Sequence, residues 1–255
     1  MKLFLILVFL SFFSLTFAQS DTLEVKIGKF KFRAIHVDTN YSTTLRITEG
    51  GDVIYKGEYE ERIDFIKEVD FNKDGNKTIL INTYTGGAHC CNILLACKIK
   101  NDKLLTTDTL YMADSYPEIE DLDKNGKMEI TGYNMMFAYA FTNFAESRAP
   151  EVVYTVENGK FKEVTKNYPV RLRQQIDEWQ SDLEVFLDSN YKCEAEGDET
   201  FNTDAGSVKA ILAAITANYF MLGEVYKGYE LIDKAYPCPD KDKFIQTLKE
   251  DYKLR

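Results

Sequence analysis

The sequence predicts an α+β protein in which an antiparallel β domain precedes a small C-terminal helical bundle. From residue 23 to about residue 166, apolar and polar residues alternate, which is the period of half-buried strands. After Pro169 the apolar residues recur every three or four positions, which places them on one face of a helix. We therefore expect a β domain over residues 19–166 and a helical domain over residues 167–255.

The first twenty residues, MKLFLILVFLSFFSLTFAQS, have the pattern of a secretory signal peptide. Lys2 supplies the positive charge, and the apolar stretch that follows is too short to span a bilayer stably. Thr16 and Ala18 occupy the −3 and −1 positions of a cleavage site. We expect residues 1–18 to be removed after Ala18. Because of this signal peptide, we expect export to the periplasm, the cell surface or the medium. No later segment is long and apolar enough for membrane insertion.

The formal net charge of −10 and the sequence pI near 4.9 restrict the classes of partner. An acidic surface repels the phosphates of nucleic acid and of anionic lipid, and it is compatible with cations. The charge therefore argues against nucleic acid as a partner. We expect the ligand to be a protein or a glycan.

The β domain is expected to consist of short antiparallel strands joined by tight turns. LEVKIGKFKFRAIHV alternates in polarity, and TTLRITEGGDVIYKGEY contains two strand-like runs around a hairpin signal at residues 49–52. TILINTY, NILLACKIK, LLTTDTLYMA and MEITGY are further strand candidates. Asn158-Gly159 predicts a two-residue turn within EVVYTVENGKFKEVT.

The segment YNMMFAYAFTNF, residues 133–144, is apolar on both faces if it is extended. Phe137, Tyr139 and Phe141 would then share one face. Apolar residues on both faces are typical of a buried strand, and we predict one here. The alternative is an aromatic platform that binds a sugar or a peptide.

The helical domain is predicted to contain three or four helices. The first is indicated by five apolar residues spaced by four, three, four and three positions: Leu172, Ile176, Trp179, Leu183 and Phe186. Asp204 can cap a second helix, and a helical pattern continues beyond Gly223. Pro237 and Pro239 must interrupt it, after which Asp240 can cap a last helix.

Residues 121–129, DLDKNGKME, have the pattern of a calcium loop. Calcium takes six to eight oxygen ligands, and a tight loop supplies them when alternate side chains point inward. Gly126 stands where the backbone must bend. The candidate ligands are the side chains of Asp121, Asp123, Asn125 and Glu129 and the main-chain carbonyl of Lys127.

A second copy of this pattern begins 51 residues earlier, in VDFNKDGNKTI. Its candidate ligands are the side chains of Asp70, Asn72, Asp74 and Thr78 and the main-chain carbonyl of Asn76. An EF-hand is excluded because its twelfth position requires a bidentate acid, whereas Ile81 and Gly132 stand there. In both copies the ninth position closes the loop, and a strand-like run follows, which suits a loop between two strands.

The D-x-[DN]-x-[DN]-G-x-x-[DE] loop followed by a strand resembles the FG-GAP or VCBS repeat of integrin alpha-type β-propellers. The resemblance covers roughly residues 60–135 and implies that a structural Ca²⁺ rigidifies a hairpin in blade-like sheets. This sequence departs from the repeat at Thr78, which replaces the closing acid of the first loop, and it has no FG-GAP tripeptides. Because two repeats cannot close a propeller, we expect a partial set of blades.

The five cysteines favour structural disulfides, because an exported chain can form them. Cys193 and Cys238 flank a helical segment and are the most natural pair. Cys90, Cys91 and Cys97 leave several alternatives open.

TGGAHCC, residues 85–91, can be interpreted in several ways. The structural interpretation is a disulfide with Cys97 or one between the adjacent residues Cys90 and Cys91. The functional alternatives are a zinc site that includes His89, a catalytic thiol and a redox switch. The segment also resembles a GGAHCC stretch beside the same loop in exported bacterial proteins, which implies no activity.

The sequence thus favours an exported, non-catalytic binding or structural module that calcium stabilises. The alternative is a secreted hydrolase with structural calcium and acidic catalytic residues. An enzyme should show a deep pocket where acids or His89 converge, whereas a module should show a broad aromatic or apolar surface.

Overall fold

The computed structural model describes residues 20–193 and 200–255, so the predicted signal peptide and its cleavage after Ala18 lie outside the described residues. Within these ranges, twelve strands form three four-stranded antiparallel sheets, and four α-helices follow them. In the part of the chain that the structure describes, the sheets do not close into a barrel. The predicted α+β class, with the strands first and the helices last, is confirmed.

The first sheet is a meander in which each strand pairs with the next one along the chain. The predicted hairpin at residues 49–52 is present, because Glu49 pairs with Asp52 across Gly50 and Gly51. Both glycines have positive φ, at 59° and 106°. The strands are β1 (Ser20–Ile27), β2 (Phe30–Val37), β3 (Ser42–Glu49) and β4 (Asp52–Tyr59).

The second and third sheets are meanders of the same kind, which agrees with the blade-like sheets that we expected. The second sheet contains β5 (Arg62–Val69), β6 (Thr78–Tyr84), β7 (Asn92–Lys100) and β8 (Lys103–Ala113). The third contains β9 (Glu118–Glu120), β10 (Glu129–Tyr133), β11 (Glu151–Glu157) and β12 (Lys160–Glu163). Each Asp-rich loop joins two paired strands, β5 to β6 and β9 to β10.

Two hydrophobic cores hold the three sheets together. Phe32 and Leu45 of the first sheet pack with Ile81 of the second, and all three are fully buried. Leu94 of the second sheet packs with Ile130 of the third, which is equally buried. Consecutive sheets therefore share their buried faces, and the first Asp-rich loop lies between strands that contribute to both cores.

The helices are α1 (Pro169–Asp188), α2 (Asp204–Met221), α3 (Val225–Ala235) and α4 (Lys241–Glu250). Every residue of α2 from Ala205 to Asn218 is buried, so α2 is the centre of the bundle. Thr203, and not Asp204 as we predicted, caps α2, since its hydroxyl accepts from the amide of Gly206. The last helix starts after Asp240, whose carbonyl accepts the amide of Phe244.

The predicted strand over residues 133–144 is wrong. Strand β10 ends at Tyr133, and residues 135–137 form one turn of 3₁₀-helix that the Asn134 side chain caps. Tyr139 has a φ of 57°, which is incompatible with a strand. Phe137 and Phe141 pack into the core of the helical bundle instead of a sheet.

Candidate calcium site

The second Asp-rich loop brings three carboxylates together. One oxygen each of Asp121, Asp123 and Glu129 lies within 4.8 Å of the other two. Glu129 is the first residue of β10 and is only 4% exposed, so the sheet fixes its position. Lys124 and Gly126 have φ of 60° and 82°, and these left-handed residues turn the loop around the cluster.

The hydrogen bonds of the loop leave one acceptor free for a cation. Asp121 Oδ2 accepts from the amide of Gly126 at 2.7 Å, whereas Asp121 Oδ1 is buried and has no hydrogen-bond partner. Glu129 Oε2 accepts from the amide of Leu122 at 3.1 Å. A buried carboxylate oxygen without a donor is unfavourable, and a cation is the partner that would satisfy it.

The two middle residues of the loop bind each other. Asp123 accepts from the Asn125 side-chain amide at 2.8 Å and from the Asn125 backbone amide at 3.1 Å. Asn125 Oδ1 accepts from the amide of Lys127 at 2.7 Å. Asn125 and Lys127 therefore lie in the same turn as the acids, and their roles as ligands stay predictions.

Tyr168 faces the acidic cluster from the start of α1, and the spacing of the loop gave no signal for it. Its pKa is raised, first by burial, then by a hydrogen bond to Glu129 and by the charges of Asp123 and Asp121. The hydrogen bond of Tyr168 links the β domain to the first helix at the candidate site.

The first loop has the same backbone but fewer acids. Lys73 and Gly75 have φ of 58° and 80°, nearly the values at the corresponding positions of the second loop. The Asn72 side chain donates to the carbonyl of Val156 at 3.2 Å, and Asp74 accepts from the amide of Asn76 at 2.8 Å. Thr78 starts β6 and adds no carboxylate.

Asp70 accepts more hydrogen bonds than the other acid of the first loop, Asp74. Its carboxylate accepts from the amides of Asn72, Asp74 and Gly75. Burial acts to raise the pKa of Asp70, but these amide hydrogen bonds outweigh it and leave the pKa below its usual range. Among the described residues, the three-carboxylate cluster occurs in the second loop and not in the first.

Lys73 joins the two loops. Its Nζ donates to the carbonyl of Asn125 at 2.6 Å. The first loop therefore places an ammonium group at the rim of the second loop. Neither the spacing nor the composition of the second loop indicated this contact.

The TGGAHCC segment forms a second cluster of polar and aromatic groups. His89 Nδ1 lies 3.0 Å from Asp114 Oδ2, and the His89 ring contacts Phe144 with a centroid distance of 4.7 Å. Cys90 and Cys91 are bonded to each other, which is one of the two structural alternatives that the sequence allowed. Tyr111 places its hydroxyl 2.6 Å from Cys91 Sγ and 3.3 Å from Cys90 Sγ.

The remaining cysteines are not bonded to this cluster. Cys97 is a free, buried thiol in the core between the first and second sheets, so the structure does not pair it with Cys90 or Cys91. Burial raises the pKa of Cys97 to about 11. Cys193 and Cys238 form a disulfide, and it connects the segment after α1 to the segment between α3 and α4.

An exposed aromatic surface surrounds the TGGAHCC cluster. Its members are large apolar side chains with at least a third of their surface exposed: Tyr111, Tyr116, Tyr133, Met136, Tyr139 and Phe144. Two cavities of about 520 and 390 Å³ open on this surface and share Tyr133 and Glu151 in their walls. A broad apolar surface of this kind is the feature that we expected of a binding module.

Comparison with known proteins gives one distant likeness. No protein-family model matches the chain, and no solved structure matches it significantly. The chain is 25% identical over 181 residues to a protein of Synechocystis sp. (strain ATCC 27184 / PCC 6803 / Kazusa) described as a probable thylakoid lumen protein. The alignment covers 68% of this chain and 48% of the relative, so the chain spans about half the length of the protein it matches. None of the helices in the described residues is long and apolar enough to cross a membrane.

Proposed function

We propose that this chain is an exported, non-catalytic binding module whose β domain is stabilised by a calcium ion in the loop of residues 121–129. The observation that carries the proposal is the cluster of Asp121, Asp123 and Glu129, whose carboxylate oxygens lie within 4.8 Å of one another. Three negative charges at this separation repel each other, and a divalent cation between them converts that repulsion into attraction. The unpartnered Oδ1 of Asp121 supports the same conclusion.

The proposed role of the ion is to brace the fold. Asp121 and Asp123 lie in the connection between β9 and β10, and Glu129 lies on β10, so a shared ion would tie the hairpin together. Tyr168, which bonds Glu129, stands at the start of α1. The ion would therefore also hold the junction between the third sheet and the helical bundle.

Two observations support export. The Synechocystis relative is described as a probable thylakoid lumen protein. The Cys193–Cys238 disulfide is typical of proteins that reside in oxidising compartments. The aromatic surface around Tyr111 and Tyr133 then supplies the face that meets a protein or glycan ligand.

A calcium titration followed by isothermal calorimetry and by thermal denaturation tests the proposal. We expect one tight site per chain and a higher melting temperature in millimolar Ca²⁺ than in chelator, because a ligand that binds only the folded state stabilises it. Mg²⁺ at the same concentration is the control, since it requires a smaller, octahedral site. Identical melting curves in calcium and chelator would refute the proposal.

A secreted hydrolase with structural calcium is the second candidate, and the His89–Asp114 pair favours it. A carboxylate 3.0 Å from Nδ1 orients an imidazole and fixes its tautomer, as catalytic histidines require. This candidate predicts hydrolysis of a model ester, peptide or glycoside that is lost in His89→Ala and retained in His36→Gln. Absence of turnover on all three classes excludes it and leaves the calcium proposal untouched.

A further inference from the structure

A cavity of about 520 Å³ lies between the third sheet and the helical bundle. Strands β8, β10, β11 and β12 line one side, and α2 together with the C-terminal segment lines the other. Met112 and Phe137 form buried parts of its wall, whereas Tyr111, Tyr133 and Met136 are more than half exposed at its opening. The volume is in the range that holds a small organic molecule.

The walls of the cavity are apolar, aromatic and adaptable. Four tyrosines and four methionines line it: Tyr111, Tyr133, Tyr154, Tyr252, Met112, Met135, Met136 and Met221. Methionine side chains adjust to the shape of an apolar ligand, and the apolar surface of the ligand that they cover is removed from water, which favours binding. The walls therefore select a ligand with an apolar body.

The charge of the cavity is negative. Glu151 and Glu163 are its two ionisable carboxylates, and none of its lining residues is basic. Arg171 neutralises Glu151 through two hydrogen bonds, of 2.7 and 2.5 Å. Glu163 accepts from the hydroxyl of Thr165 at 3.0 Å, and within residues 20–193 and 200–255 no ion pair involves it.

We propose that this cavity binds an organic cation, that is, an aromatic or alkyl body that carries an ammonium group. The body packs among the methionines, and the ammonium group lies against Glu163 and the faces of the tyrosines, which attract cations. An anion is disfavoured by the charge of Glu163, which is exposed at the cavity. A sugar is disfavoured because the apolar walls leave most of its hydroxyls without partners.

This inference rests on the binding role proposed above and names its ligand class, but it does not depend on calcium. An ammonium group on an apolar body can belong to a free amine or to a basic side chain of a peptide. Three probes of one shape separate the contributions of charge and of apolar body: 2-phenylethylamine, 2-phenylethanol and phenylacetate. N-acetyl-lysine methylamide is the fourth probe and represents the peptide source.

The methionine methyl groups report where a probe binds. In a chain labelled at the methionine methyls, the amine should shift the resonances of Met112 and Met221, which line the cavity, and leave that of Met128 unchanged. Met128 lies in the candidate calcium loop, so Ca²⁺ should shift Met128 instead. A failure of the calcium proposal and a failure of this inference therefore appear on different resonances.

The matched variants are Glu163→Gln in the cavity and Glu157→Gln outside it. Glu157 lies on the adjacent strand of the same sheet and pairs with Lys162. We expect Glu163→Gln to weaken amine binding about tenfold, to leave the alcohol unchanged and to remove the preference between them. Glu157→Gln should change neither.

The affinities are measured by calorimetry in saturating calcium and again in chelator. The inference predicts that the amine binds more tightly than the alcohol and that the alcohol binds more tightly than phenylacetate. Equal affinities for the amine and the alcohol, a preference that survives Glu163→Gln, or no binding of any probe at 10 mM would each overturn it. Binding of the lysine derivative with the amine's affinity assigns the site to a peptide, and weaker binding assigns it to a free amine.

Discussion

Glu129→Gln should destabilise the protein in calcium but not in chelator. At a separation of 4.8 Å, two carboxylates repel each other by about 3.5 kcal/mol at an effective dielectric constant near 20. The repulsion is smaller for the exposed Asp123 than for the half-buried Asp121. In chelator, the neutral amide relieves this repulsion and still accepts hydrogen bonds, so the variant should be as stable as the parent protein or slightly more stable.

In calcium the same substitution should destabilise the protein. An ion at 100 times its dissociation constant stabilises the folded state by about 2.7 kcal/mol. For a chain of this size, that free energy corresponds to a rise of roughly 5–10 °C in melting temperature. If the loss of one carboxylate weakens binding a hundredfold, about 0.4 kcal/mol of that stabilisation remains, and the calcium-dependent shift nearly disappears.

The assay is thermal denaturation by circular dichroism, in calcium and in chelator at equal ionic strength. Glu118→Gln is the matched control, because Glu118 lies on β9 in the same hairpin but outside the carboxylate cluster. It should retain the full calcium shift. A Glu129→Gln variant that also retains the full shift would refute the assignment of Glu129 as a ligand.

The converse substitution, Thr78→Glu, supplies the acid that the first loop lacks. Because both loops have the same left-handed residues, the new carboxylate should complete a second site. Equilibrium dialysis should then give two calcium ions per chain in place of one. A stoichiometry that stays at one would show that the shared backbone is insufficient for binding.

Three further predictions concern the helical bundle and the free thiol. Lys209→Met should lower the free energy of unfolding in urea by about 3–5 kcal/mol, because it removes the ammonium group that lies 2.9 Å from the buried carboxylate of Asp240. Asp240→Leu in the same chain should recover much of this loss, and an unchanged midpoint would contradict the prediction. Replacing Cys193 and Cys238 by serine should lower the free energy of unfolding by up to about 4 kcal/mol, since the bridge closes a loop with a sequence separation of 45 residues. Equal stability of the oxidised and reduced parent would argue against the bridge. The denatured, unreduced chain should contain one reactive thiol, Cys97, and the folded chain none at pH 7, because burial raises its pKa to about 11; more than one thiol would exclude two disulfides.

The strands and helices were predictable wherever local pattern and tertiary packing agree. Strand β3 shows the alternation of buried and exposed residues that its sequence predicts. Helix α1 buries Leu172, Ile176, Trp179 and Leu183, four of the five residues on its predicted face. Helix α2 was also predicted, although it is buried on all sides and therefore lacks an amphipathic stripe.

The segment of residues 133–144 was mispredicted because its partners are distant in the sequence. Its alternation of aromatic and small residues is strand-like, yet Phe141 packs against Phe244 and Tyr252 of the helical domain. The Asn134 side chain ends the strand by capping a 3₁₀ turn. A single sequence contains no signal that Phe141 contacts residues about a hundred positions away.

The candidate site likewise contains residues that the sequence identified and residues that it missed. The acids of the second loop were found because their spacing is local, and the structure brings Asp121, Asp123 and Glu129 together. Tyr168 was missed because it comes from the start of α1, and Lys73 was missed because it comes from the other loop. Residue spacing identifies ligands within one loop. Groups that contact the loop from elsewhere in the sequence can be identified only from the tertiary structure.

The contact of Lys73 gives the two loops different roles. Its ammonium group bonds the carbonyl of Asn125 and adds a positive charge at the rim of the second loop, which partly offsets the three acids there. A cation at this place attracts the acids, which offsets part of their mutual repulsion before any ion binds, and it repels a divalent ion. The first loop therefore contacts the second through Lys73, and this contact requires no ion in the first loop. Calcium in the second loop would then stabilise an arrangement that the fold has already assembled.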